Sequence, residues 1–333
     1  MTELLAVSTR PRRARRIALV AAIGILAVIA ASSWIRLPPT RPRLPDPNGS
    51  DDLARAGSMI RGDWPNKGAV ADADPAALRP FVQANRPALD LVRVGLGRES
   101  VSPLEDSEAG LGRQFERQVL LKYAARLLIA EGLVAEADGR AGDASRSYLD
   151  SLSVGQATTQ GGMLTDAQLG WVLQKRAVDR LRKLRDHLPA GDLKATTRAI
   201  EAIDRRRVAP DAVVKRWERW YRGAFRPVQR IVLQCGGTEA TERLNQQFQA
   251  RKAHDAAGRA LRFLMVELSI HASHGEKGAW PRSVADLVPA YLASVPIDPS
   301  TGRPLDYPAN PSGELSDDLG SVARPDGEVV PRP

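Results

Sequence analysis

Along most of this chain apolar residues return every three or four positions, the period of a helix that buries one face. Leu120, Tyr123, Ala124, Leu127 and Leu128 make one such stripe. Leu169, Val172, Leu173, Ala177, Leu181, Leu184 and Leu188 make a second, opened by a capping box of Thr165 and Gln168 and closed by Pro189 and Gly191. Asp192 then caps a helix carrying Ile200 and Ile203, which stops before Pro210. Asp211 opens another, with Val213, Val214, Trp217, Trp220 and Tyr221 along one side. A long last helix runs through Leu244, Phe248, Ala257, Leu261, Leu264 and Leu268. Short turns between long helices predict antiparallel neighbours in an irregular bundle.

Within that body Gly139, Ala144 and Tyr148 keep the small-small-aromatic spacing found at the bend of a tetratricopeptide hairpin. Small residues there let two helices approach closely, so this stretch resembles one TPR-like hairpin, without a second copy of the repeat.

The pattern changes completely at the start of the chain. From Ile17 to Ile35 no residue is charged, a length that matches the hydrocarbon core of a bilayer. Arg10, Arg12, Arg13, Arg15 and Arg16 precede it; Arg36, Arg41 and Arg43 follow. That bias predicts a cytoplasmic tail (1–16), a single transmembrane helix (17–35) with Trp34 as interfacial anchor, and an N-in orientation that places the bulk of the chain outside the cytoplasm. The alternative is a signal peptide cleaved after Val28-Ile29-Ala30; the apolar run continues past that point, which favours the uncleaved anchor. The proline-rich stretch 36–50 reads as a semi-rigid spacer, 51–275 as the helical extracytoplasmic domain and 276–333 as a C-terminal cassette and tail.

Composition adds bounds. The 333 residues, 43% hydrophobic and 26% charged, suffice for a substantial core, and 5% aromatics beside abundant Ala, Leu and Arg favour helix over sheet. One cysteine excludes an internal disulfide framework. The net charge of +9 comes from arginines scattered among acids, as in Asp179–Leu188 and Ala202–Asp211, with no RNA-binding or zinc-finger signature. No nucleic-acid partner is expected; an anionic membrane surface or envelope polymer is the simpler one.

Candidate chemistry is sparse. His271 and His274, followed by Glu276, stand three residues apart at a helix end, but no HExxH pattern supplies the remaining ligands of a metal site. Cys235 sits before two glycines without a family signature for a nucleophile. Trp217, Trp220, Tyr221 and Phe225, interleaved with Arg216, Arg219 and Arg222, have the spacing of a buried helix stripe and the alternative reading of a stacking surface. No Walker loop, dinucleotide fingerprint or serine elbow occurs.

Residues 278–307, GAWPRSVADLVPAYLASVPIDPSTGRPLDY, form a run of fixed turns. Trp280-Pro281 halts the long helix, Ser283 with Asp286 caps a short one, and Asp298-Pro299-Ser300-Thr301-Gly302 is a turn with aspartate first and glycine last. Pro281, Leu287, Pro289, Leu292, Pro296, Asp298, Pro299, Gly302, Pro304 and Tyr307 carry a resemblance to the segment after the long helix in major pseudopilins of type II secretion. The chain also resembles a group of uncharacterised bacterial membrane-anchored proteins that join a helical extracytoplasmic body to such a tail. The resemblance implies a small α+β cassette and, in its tail, calcium held by Asp317, Asp318 and Asp326, which are hard oxygen ligands. The prepilin cleavage site and the glutamate inside the hydrophobic helix are missing, so assembly into a pilus by that route is not expected.

The sequence therefore predicts a mainly α protein with one N-terminal span. Its expected function is that of a non-catalytic, membrane-anchored extracytoplasmic interaction or scaffold protein linked to envelope assembly or protein secretion, with a protein partner in the envelope. The alternatives are an envelope enzyme using His271 and His274 or Cys235, and a released ligand-binding module.

Overall fold

The computed structural model describes Gly24 and residues 43–65, 70, 73–104, 108–224 and 238–305. The Ile17–Ile35 segment therefore lies outside the described residues, save Gly24, and no helix among those described is long and apolar enough to cross a membrane. The described residues are mainly helical. In chain order the helices are α1 (Gly49–Ser58), α2 (Pro75–Ala84), α3 (Arg86–Leu96), α4 (Glu108–Ala137), α5 (Ala141–Thr159), α6 (Leu164–Leu184), α7 (Ala190–Arg205), α8 (Pro210–Ala224) and α9 (Thr238–Lys277). Among the described residues there is no strand.

The first helix begins at the end of the proline-rich stretch, because Asn48 accepts from the Ser50 amide and caps it. The same side chain exchanges two hydrogen bonds with the backbone of Val101, both at 3.0 Å, so α1 is tied to the loop beyond α3.

Helix α4 is the central strut. Leu121, Ala124, Ala125, Leu127, Leu128, Ile129 and Ala130 are all buried, which is wider than the single stripe expected. The reason is that α4 packs on α1 and α2 on one side and α5 and α6 on another, leaving little of its middle in water. It ends in a Schellman turn: Gly139 takes a positive φ of 73°, Arg140 donates to the Ala135 carbonyl and Gly139 to that of Glu136. The hairpin expected at Gly139, Ala144 and Tyr148 is thus present as α4 and α5. Its closeness depends on Gly132, where any added Cβ would overlap the Tyr148 ring.

Helix α6 starts one residue before the expected cap. The carboxylate that reaches back is Asp166, accepting from the Met163 amide at 2.6 Å and from the Gln114 and Gln118 side chains of α4 at 2.6 and 2.7 Å. Thr165 instead accepts from Gln118 through its hydroxyl. At the other end α6 stops at Leu184, a 3-10 turn covers Arg185–His187, and Pro189 caps α7 with Gly191 already inside the new helix.

Two cores result. The larger unites α1 to α7 with α9 from Leu261 onward and takes in Val284, Leu287, Tyr291, Leu292 and Leu305, so the C-terminal cassette is packed into the main body. The smaller holds Met163, Leu164, Ala167, Trp171, Val213, Trp217, Ala250 and Ala257. In α9 the expected stripe is buried from Ala257 onward, while Leu244 and Phe248 remain 67% and 64% exposed.

The cassette follows its predicted turns. Asp286 accepts from the Ser283 and Arg282 amides to cap a 3-10 turn at Val284–Leu287, and Gly302 donates to the Asp298 carbonyl at 2.8 Å. Tyr291 donates to Glu276, and Arg259 pairs with Asp298, so both ends are clamped to α9. Its expected β part is represented, among the described residues, by one antiparallel bridge between Ile297 and Pro304.

Two glycines of α4 should respond oppositely to the same methyl group. At Gly112, with nothing within 4 Å of an added Cβ, alanine should raise the free energy of unfolding by about 0.5–1 kcal/mol through helix propensity. At Gly132 alanine must displace the Tyr148 ring and should lower it by about 1–3 kcal/mol. Urea unfolding of both variants tests this, and equal shifts would contradict the packing described.

Candidate cationic cleft

Helices α4 and α6 flank α5, and a cavity of about 190 Å³ opens between them. Its apolar lining comes from Ala125 and Ile129 of α4, Leu173 of α6 and Val70, with Ser151 contributed by α5. Around this lie five cations, Lys122 and Arg126 on α4 and Arg176, Arg180 and Lys183 on α6, against one acid, Asp179. The spacing explains the convergence. Lys122 and Arg126 are four apart, and Arg176, Arg180 and Lys183 fall at i, i+4 and i+7, so each set lies along one helix face.

The compensation of these charges is uneven. Arg180 is satisfied on one side, donating to Glu136 at 2.7 Å and lying over the Tyr148 ring at 5.5 Å. Asp179 is engaged by Lys175 at 3.2 Å, outside the cleft. Arg126 stacks over Trp64 at 4.2 Å. Among the described residues Lys122, Arg176 and Lys183 make no ion pair. Burial, reinforced by repulsion from Arg176, holds the Arg126 guanidinium below the ordinary arginine range. An anion placed between the rows would relieve that repulsion.

A second, more open cavity of about 360 Å³ lies behind Trp64, lined by Gly57, Ile60, Asp63, Leu120 and Tyr123 among others. It holds one charged side chain and no convergence of like charge, so the smaller cleft is the stronger candidate despite its size.

The residues singled out from sequence fall elsewhere. His271 and His274 do lie together, both against Trp280: His274 stacks on it with ring centroids 3.8 Å apart and His271 meets it edge-on at 5.6 Å. The carboxylate near them is Asp186, 3.4 Å from His271 Nδ1, whereas Glu276 turns to Lys194 and Tyr291. No group of three or more His, Cys, Asp or Glu suited to a metal ion occurs among the described residues. Trp217 is buried in the smaller core; the Trp220 and Tyr221 side chains, Phe225, Cys235 and the acids Asp317, Asp318 and Asp326 lie outside the described residues. No family model, curated protein or solved structure matches this chain.

The cleft was hidden in a stretch that reads as a solvated helix face. In Asp179–Leu188 the basic residues are not scattered at random: Arg180 turns to Glu136, and Arg182 and Arg185 turn to the buried Glu267 of α9, leaving Lys183 to join Arg176, two turns earlier, at the cleft. The helical spacing of Arg176, Arg180 and Lys183 was the available signal.

Burial, helped by Arg185, pushes the His271 pKa down, and burial with Arg207 does the same to His254. Below the unfolded value of about 6.5 the unfolded chain binds these protons more readily than the folded one. Stability should therefore be fully present above that pH and decline as pH falls toward the depressed folded values. Chemical unfolding between pH 5 and 7.5 checks the slope, which His271→Gln should reduce; an unchanged slope in that variant would rule out His271 as a contributor.

Proposed function

We propose that this chain is a non-catalytic interaction protein that presents its helical body from a membrane and captures an anionic partner in the α4–α6 cleft. The observation that carries this reading is the pair of cationic rows over an apolar floor, three of whose members make no ion pair among the described residues. Guanidinium groups on two helices suit carboxylate or phosphate recognition, and a packed helical frame fixes their separation. The membrane attachment is supported by the uncharged Ile17–Ile35 segment and the arginines before it, which orient the N-terminus to the cytoplasm and the body to the outside. The cassette's resemblance to major pseudopilins links the role to envelope assembly or secretion, and its packing into the main core suits a fixed platform more than a detachable module.

Two measurements test the reading. In bacterial cells the full chain should sediment with membranes and resist carbonate extraction, whereas a chain lacking residues 1–36 should not; equal behaviour would discard the anchor. Cross-linking in those membranes should yield a defined adduct that the exposed-charge variant Arg176→Glu/Lys183→Glu reduces at least tenfold, and an undiminished adduct would discard the cleft as the contact site.

A further inference from the structure

The shape and lining of the cleft say more about the ligand than its charge alone. A site for an extended polyanion is a long, polar, cationic track; here the cationic rows are short. Arg176 to Lys183 spans about 10 Å of helix at 1.5 Å per residue. Between them the surface is apolar and concave, formed by Ala125, Ile129, Leu173 and Val70. Its volume of about 190 Å³ equals that of about six water molecules at ~30 Å³ each, enough for one small head and a few carbons.

Charge placement agrees with this division. Lys122, Arg176 and Lys183 make no ion pair among the described residues, and Arg176 lies close enough to Arg126 to disfavour its charged form. Five like charges converge here on a lining that holds one acid. Asp179, the acid of the lining, is engaged by Lys175. Arg180 has its head on Glu136 and is thereby held at the edge of the cleft.

We propose that the cleft binds a small amphiphilic anion, a phosphate or carboxylate head held between the rows from α4 and α6, with a short hydrocarbon group lying on the floor. This rests on reading the cleft as the partner-binding site and names the chemistry of what enters it. Binding is reversible and involves no covalent step. The head meets Lys122, Arg126, Arg176 and Lys183; the hydrocarbon displaces water from Ile129 and Leu173.

The test is calorimetric titration of the full chain in a non-ionic detergent, with inorganic phosphate, ethyl, butyl, hexyl and octyl phosphate, hexanoate and hexan-1-ol. Affinity should rise by about four-fold per added methylene, the equivalent of ~0.8 kcal/mol each, and then level off once the cavity is filled. Hexan-1-ol should bind at least tenfold more weakly than hexyl phosphate, and the comparison with hexanoate decides between phosphate and carboxylate heads. The variant Arg176→Gln/Lys183→Gln, altered only at exposed side chains, should weaken hexyl phosphate at least tenfold. A flat chain-length series, or an unaltered affinity in that variant, overturns the proposal. So does binding to vesicles of phosphatidylglycerol without any binding of the dispersed alkyl phosphates, which would make the cleft a contact for a lipid surface. If the membrane cross-link is lost on charge reversal while no alkyl anion binds, the ligand class falls alone; if the cross-link also persists, the cleft falls with it.

Discussion

A single ring seated against a single glycine sets the spacing on which the helical body depends. Tyr148 of α5 lies where a side chain on Gly132 of α4 would have to be, so the two helices meet at backbone distance. The ring is fully buried, and its hydroxyl donates to Glu136, which also receives Arg180 of α6. Burial holds the phenol well above the ordinary tyrosine range, so the group remains a donor and the three-helix junction does not titrate away under physiological conditions. One aromatic thereby fixes α4, α5 and α6 together.

The same junction explains why positive charge gathers on one side of α6. Three carboxylates inside the fold are already committed: Glu136 to Arg180, Glu267 to Arg182 and Arg185, Glu131 to Arg93 and Arg86. Glu267 is 3% exposed, and a buried carboxylate of that kind persists only with partners at hand. What remains after these pairings are Lys122, Arg176 and Lys183 of the cleft, which make no ion pair among the described residues. Their arrangement is a by-product of closing the core, and it is also what makes the surface chemically selective.

Much of the frame was legible in the chain. Period-four apolar runs gave the helices, Ser283 with Asp286 gave the cassette cap, and Gly139 gave the hairpin bend, because each of these signals is local and its partners lie within a few residues. The failures share a cause. Thr165 looked like a cap, yet the buried Asp166 took that role because Gln114 and Gln118, about fifty positions away, stand ready to donate to it. Arg182 looked solvated, yet its partner Glu267 is 85 positions distant. Leu244 and Phe248 continued a stripe, yet both stay exposed while Ala250 and Ala257 of the same helix are buried. Periodicity tells which face of a helix is apolar but not how far along it a neighbour extends. The cleft was missed for the same reason, since two of its cations belong to α4 and the other three to α6, with α5 between them in the chain.

Unequal cores also divide the molecule by the ease with which it opens. The cluster around Trp171 and Trp217 contains few side chains, and α9, about 60 Å long at 1.5 Å per residue, passes from it into the large core without a break. Amide protons in α8 and the early turns of α9 are therefore free to exchange through local unfolding while those of α4, α5 and α6 wait for the whole body to come apart. A protease entering at that end would cut the chain and leave the Tyr148 junction, and the cleft built on it, standing.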